Sequence, residues 1–393
     1  MLKLLTNARV YAPEPLGLQC VLTCAGRIIY VGDQAPAIDP CLALETLDLQ
    51  GMLLVPGLID GHTHITGGGG ESGPASRVPA PFLGQFTRAG VTSVIGVLGT
   101  DDLTRNTQTL VTQAYGLREQ GLSAWCFTGG YHLPLTTLTG SARSDIVYLD
   151  PVIGIGEMAI SDHRSSQPTL DEILRLASEA QVAGLMTGKA GVLHLHLGDG
   201  QRGLDLVRRA LDDSELPARV FHPTHVNRNK PLFEEACQLA KQHGCYVDLT
   251  AYEMAEGDAG WSAAEAMIRY HGYDMPGALL TMSSDGGGCL PCFNEAGEVE
   301  RLDIGSSQTL LQTLRCVVAD GLSLEQALPA CTSNVATLMR LHGKGRIAPG
   351  LDADLLALYE LFQVLHVLAR GECHVGDGML VVLGNYDPEQ TAG

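Results

Sequence analysis

The sequence predicts an α/β protein: a (β/α)8 TIM-like barrel with a small β-sandwich domain built from both chain ends. Three observations predict it. Between residues 56 and 345, short apolar runs alternate about eight times with amphipathic segments, the pattern of β–α units around a parallel sheet. Residues 1–55 and 346–393 carry closely spaced strand-like runs broken by turn residues instead. Histidines and an aspartate recur at the ends of the predicted strands, the face on which such a barrel carries its chemistry.

The elements follow in order. Val21–Cys24, Arg27–Val31 and Thr46–Leu49 read as short strands, with turns at Ala25-Gly26 and Gly32-Asp33. The run Met52–Val55 reads as a buried strand, punctuated by Pro56-Gly57 before Leu58-Ile59-Asp60-Gly61-His62-Thr63-His64. Strands are expected at Thr92–Leu98, Ser123–Thr128, Val152–Ile155, Val192–Leu197, Ala218–Thr224, Cys245–Leu249 and Leu279–Ser284. Helices are expected at Leu103–Gln120, Leu170–Gly184, Gly203–Leu211, Leu232–His243, Ala263–His271 and Ser307–Ala319. Leu103 belongs to the apolar face of the first, and Thr169 with Glu172 forms a capping box for the second. Asp354–Leu358, Val364–Leu368 and Met379–Leu383 are strand-like and return to the β-domain.

Composition narrows the partners. A chain of 393 residues suits one large domain of about 250–300 residues plus a smaller one. Hydrophobic content of 45% and charged content of 18% describe an ordinary core-former. A formal net charge of −19 argues against a nucleic-acid backbone or an anionic membrane as partner. No apolar run reaches the roughly 18 residues that span a bilayer. The N-terminus lacks a signal-peptide layout and reads as a first strand. Eleven scattered cysteines then read as reduced thiols of a cytoplasmic protein.

His62 and His64 sit two residues apart on a strand end, so both imidazoles point to one side. His196 ends the fifth strand, His225 follows the sixth and Asp285 the eighth. Four histidines and an aspartate suit zinc or another first-row divalent ion. Two ions need a shared bridge, usually a carboxylate-like group from a middle strand. By the period of two, His194 faces the same side as His196, and spacing alone does not choose between them; Gly198-Asp199 places His196 nearer the strand end. A lone histidine at a strand end is more often structural, which covers His222, His243, His271, His342, His366 and His374.

These positions resemble the amidohydrolase superfamily. The stretches Gly67–Glu71, Ala159–Ser165, Pro223–Asn229 and Ser283–Gly286 resemble, more narrowly, the isoaspartyl (β-aspartyl) dipeptidases, and the likeness runs nearly end to end. The resemblance implies two divalent ions, expected to be zinc, and a small-molecule isoaspartyl dipeptide as substrate. His62, His64 and Asp285 would hold one ion, and His196 and His225 the other. Asp285 would take the proton of a bridging hydroxide and pass it to the leaving amine. Glu71, helped by Gly69 and Thr100, would bind the substrate ammonium. Arg164 and Arg228 would hold carboxylates in fork geometry. Tyr131 would polarise the scissile carbonyl. The resemblance also implies a homo-oligomer.

Two positions depart from that pattern. Where the resembled family has a carboxylated lysine bridge, this chain has Glu157, with about one extra residue before it. A glutamate carboxylate is also an anionic two-oxygen bridge but a shorter one, so the backbone must come closer; Gly154 and Gly156 allow it. Lys189 stands before the fifth strand, at the wrong end to substitute. Where the family has a substrate-contacting serine, this chain has Cys289, a weaker donor. Cys289-Leu290-Pro291-Cys292 is read as loop cysteines. Two rival readings stay open: another amidohydrolase, D-aminoacylase-like or acting on cyclic amides, and a non-catalytic metal- or ligand-binding barrel. Glu71 and the two arginines argue against the first, because an N-acyl or cyclic substrate offers no free ammonium.

Overall fold

The structure is a computed structural model that describes residues 2–254, 259–293 and 299–388. Eight parallel strands carry the site: β1 Leu58–Thr63, β2 Val91–Gly96, β3 Ser123–Thr128, β4 Val152–Ile160, β5 Val192–Leu197, β6 Phe221–Thr224, β7 Val247–Thr250 and β8 Leu280–Ser283. β1 to β6 pair in sequence order as one sheet, and β7 and β8 form a separate parallel pair. The sheet curls. The Val226 amide donates to the Asp248 carbonyl at 3.3 Å, tying the end of β6 to β7. The His64 amide donates to the Gly286 carbonyl at 2.8 Å, which lays the segment after β8 beside β1. These strands are almost wholly buried, as a parallel sheet covered by helices requires.

The chain ends pair with each other. Leu53–Pro56 runs antiparallel to Leu355–Leu358 and belongs to a nine-stranded sheet drawn from both termini. A β-sandwich is expected there, and all nine strands hydrogen-bond into one continuous sheet. Its long strand, Leu2–Tyr11, bends at Asn7, whose φ is 51°. One edge of that strand therefore pairs first with Leu44–Asp48 and then with Leu53 and Leu54. The sheet wraps Leu5, Val10, Val21, Leu54 and Leu355 into a core of its own. The backbone passes from this sheet into β1 within one residue, Gly57. A Cβ there would stand 2.3 Å from Thr92 Oγ1, so only glycine fits.

Several boundaries moved for identifiable reasons. The helix expected from Leu103 starts at Thr107, because the Asn106 side chain accepts the Thr109 amide and caps it; Leu103 is exposed. The helix from Leu170 runs on to Thr187 and stops at Gly188, which is left-handed. Its Thr169–Glu172 capping box is formed. β4 continues past Ile155 to Ile160, carrying Glu157 inside a strand. Cys289–Phe293, expected as a loop, pairs with Val299–Ile304 as a hairpin, and Glu372–Gly376 is an unforeseen strand. The side chain of Cys292 lies outside the described residues, as do Met1 and the residues after 388. No helix among the described residues is long and apolar enough to cross a membrane.

Thr169→Ala removes half of a capping box on the longest helix of the sheet's outer layer. It should lower unfolding free energy by about 1 kcal/mol in urea melts, with the shape of the transition unchanged.

Candidate metal centre and substrate cavity

β1 ends in His62 and delivers His64 just beyond it. His62 Nε2 lies 3.5 Å from both Glu157 Oε1 and Asp285 Oδ1, and His64 Nε2 lies 3.6 and 3.0 Å from the same two atoms. Glu157 Oε2 faces the opposite way, 3.0 Å from His196 Nδ1 and 3.6 Å from His225 Nε2. One carboxylate thus presents each oxygen to a separate histidine pair.

A local irregularity puts Glu157 there. Ile155 pairs with Leu193 and Met158 with Leu195, so Gly156 and Glu157 of β4 both oppose His194 of β5. This is a β-bulge, which re-aims side chains and is common beside active sites. A Cβ on Gly156 would lie 2.7 Å from the Cβ of His194, so the bulge needs glycine at that step. His225 and Asp285 hold φ of 61° and 55°, a left-handed conformation that non-glycine residues seldom adopt outside functional sites.

The donor set fits first-row divalent ions. Ligand atoms about 2.0–2.2 Å from a tetrahedral ion stand roughly 3.3–3.6 Å from one another. The separations above bracket that range. His62 Nε2, Glu157 Oε1 and Asp285 Oδ1 are buried without a hydrogen-bond partner, although buried polar atoms are nearly always paired. Groups able to hold an ion include His62 with His64 and Glu157, His62 with His225 and Asp285, and Glu157 with His196 and His225.

Charge explains the protonation states. Burial alone would raise the Glu157 pKa, but the His62 charge and contacts with His196 and His225 hold it well below the carboxylate range. Asp285 behaves likewise, its burial outweighed by His62 and His64. Burial opposes a proton on His62, yet Glu157 and Asp285 together raise its pKa well above the usual value. Burial pushes His225 down to about 3.

A second ring of polar groups opens onto a cavity of about 950 Å³, lined among others by Gly69, Thr100 and Cys289. Arg164 Nη2 donates to Asp162 Oδ2 at 2.8 Å, and Arg164 Nη1 reaches Glu71 Oε1 at 3.4 Å. Glu71 Oε2 is buried with no partner. Arg228 Nη1 donates to the Leu197 carbonyl at 3.0 Å. The Tyr131 hydroxyl lies 2.7 Å from His196 Nδ1. Eleven of the thirteen residues singled out in the sequence line this cavity, and the other two, His62 and Glu157, are buried against them. Lys189 does not; its ammonium donates to the carbonyls of Ile146 and Leu149.

Two residues were passed over. Asp162 joins His196 Nε2 at 3.0 Å and Arg164, yet only the arginine of its Ser-Asp-His-Arg stretch drew notice. Arg105 is buried and donates to the carbonyls of Thr66, Gly69 and Val78 and to Asp101, clamping the loop that carries Glu71. It had been absorbed into the predicted helix from Leu103, where an arginine reads as a solvated face. His194, left level with His196 by spacing, makes its hydrogen bonds instead with His62 and His222.

A parallel sheet curled around a buried cluster of histidines and acids defines a class. Residues 53–372 match the model of the amidohydrolase family, and the chain belongs to that family of hydrolases. It is 40% identical to the beta-aspartyl dipeptidase of Fervidobacterium islandicum AW-1, solved in complex with a beta-Asp-Leu dipeptide, with a TM-score of 0.92 over 97% of each chain. It is 26% identical to the imidazolonepropionase of Ruegeria sp. (strain TM1040), over 84% of this chain and 83% of that one. It is 28% identical to the adenine deaminase of Deinococcus radiodurans, over 90% of this chain but 58% of that relative's length.

Cys289 tests the electrostatics of the mouth. Burial, with Glu71 and Asp285 nearby, pushes its thiol up to about 12. The thiolate is the reactive form. Iodoacetamide at neutral pH should therefore modify the exposed Cys41 and Cys316 well before Cys289, read by peptide mass mapping. Faster labelling of Cys289 would contradict this account of the site.

Proposed function

We propose that this protein is a metal-dependent isoaspartyl dipeptidase that hydrolyses the β-linked amide of its substrate. One observation carries the reading. Glu71, with one oxygen unpartnered, stands beside Arg164 on the cavity that Asp285, His196 and His225 also line. An acid and two arginines match a dipeptide that offers a free ammonium and two carboxylates. The dipeptide-bound relative from Fervidobacterium supports the same substrate class.

In this reading His62, His64 and Asp285 would hold one ion, His196 and His225 the other, and Glu157 would serve both. Two divalent ions, zinc by the donor set, would polarise the scissile carbonyl and bring the pKa of water toward neutrality. The protein's own residues do the rest. Asp285, held as a carboxylate, accepts the proton shed by the attacking water and returns it to the leaving amine. Tyr131 donates to the carbonyl oxygen as negative charge gathers on it. Glu71, with Gly69 and Thr100, binds the ammonium, Arg164 and Arg228 bind carboxylates, and Cys289 borders the substrate. The eight strands close into a (β/α)8 barrel in this reading, and 1–55 with 346–393 form a β-domain of their own. The ten described cysteines, all free, support a reducing, cytoplasmic setting. The working form is taken to be a homo-oligomer, on family likeness.

The deciding experiment combines metal analysis with turnover of β-Asp-Leu, an N-acyl-D-amino acid and a cyclic amide. Two zinc ions per chain and turnover of β-Asp-Leu alone are expected. A fully metallated protein that ignores β-Asp-Leu would sink the dipeptidase reading. Asp285→Asn should cut kcat by at least about 10³-fold with an unchanged circular dichroism spectrum. Glu157→Lys should lose activity and regain it with bicarbonate, because a lysine carbamate restores a two-oxygen anion; full activity without bicarbonate would remove Glu157 from the bridging role.

A further inference from the structure

Behind His62 runs a file of polar side chains that the proposed chemistry does not use. His62 Nδ1 lies 2.8 Å from His194 Nε2, and His194 Nδ1 lies 2.9 Å from His222 Nδ1. His222 Nε2 lies 2.9 Å from Thr281 Oγ1, which stands 2.6 Å from Asp248 Oδ1. Asp248 Oδ2 accepts from Thr224 and Ser283 at 2.7 and 2.6 Å. All five members of the file are at least 98% buried. They cross the interior of the sheet from β1 through β5, β6 and β8 to β7.

The donors in this file are fixed by its ends. Asp248 is a carboxylate already accepting two hydroxyls, so Thr281 must donate to it. Thr281 then accepts from His222 Nε2, which carries a proton. A neutral imidazole has one donor and one acceptor, so His222 Nδ1 accepts from His194 Nδ1. His194 Nε2 in turn accepts from His62 Nδ1. In neutral His62 the lone pair is thereby confined to Nε2, the atom that faces Glu157 and Asp285.

We propose that Asp248 is a remote positioning residue. Through Thr281, His222 and His194 it fixes the tautomer and ring orientation of His62, so that Nε2 is always presented to the ion. Outer partners of a metal-bound histidine commonly act this way, but through one hydrogen bond to a carboxylate or carbonyl. Here the carboxylate acts across two further imidazoles and a hydroxyl. The inference rests on the reading of His62 as a ligand.

Thr281 is the link to cut, because Asp248 keeps its other two donors. Thr281→Val preserves shape and removes the hydroxyl; Thr281→Ser keeps the hydroxyl. Zinc affinity by chelator competition should weaken about 10- to 100-fold in the valine variant and return to near wild type in the serine variant. Equal affinity in wild type and Thr281→Val, or equal losses in both variants, would overturn the proposal and leave the metal reading intact. A wild-type protein that binds no zinc would overturn both. Nitrogen-15 spectra of histidine-labelled, zinc-loaded wild type need no variant to fold. They should show His62 and His194 protonated at Nδ1 and His222 at Nε2; the reverse tautomer at His194 or His222 would refute it.

Discussion

Two carboxylates, Glu157 and Asp285, lie buried against histidine rings, and the arrangement of the sheet follows from that charge. Removing an ion from water costs several kcal/mol unless opposite charge and hydrogen bonds replace the lost solvent. Five strands build the cluster: β4 and the segment after β8 carry Glu157 and Asp285, while β1, β5 and the segments after β1 and β6 supply His62, His196, His64 and His225 around them. A proton on His62 and a divalent cation serve the same electrostatic purpose. A proton on His62 therefore offsets part of the repulsion between the two buried acids.

The outer ring obeys a different rule. Its side chains come from loops, so their geometry has to be imposed by contacts rather than by a ladder. Arg164 is held by Asp162, Asp162 by His196, and the Glu71 loop by three carbonyl bonds to Arg105. The groups proposed to bind substrate are thereby oriented in advance, which would reduce the ordering cost of binding. The recognition ring and the inner cluster share His196, whose two ring nitrogens face Glu157 on one side and Asp162 on the other.

Much of this was legible in the sequence. His62 and His64 could be read as a pair because a strand repeats every two residues, and that period is local. Strand ends carrying His196, His225 and Asp285 were legible because the β–α alternation is strong. The bulge at Gly156 was not, since an unmatched residue is a property of two strands at once. The file behind His62 was hidden for the same reason: spacing put His194 on the inner face but could not say which partners wait there. Arg105 was lost to a helix boundary that a single asparagine cap shifted. The strand from Cys289 was hidden because Cys289-Leu290-Pro291-Cys292 reads as a loop, and its pairing with Val299–Ile304 is a property of two segments at once.

The join at Gly57 has one more implication. Leu53–Pro56 finds its partner strand in Leu355–Leu358, far down the chain, and the next residues are already β1. The strand that bears His62, already paired with β2, is therefore also braced on its N-terminal side by a segment that leaves the ribosome late. A nascent chain can pair β1 with β2 early, but the brace on Leu53–Pro56 from Leu355–Leu358 forms only once the C-terminal residues return. Completing that brace closes a loop over most of the chain, an entropic cost that the local pairing of β1 with β2 avoids.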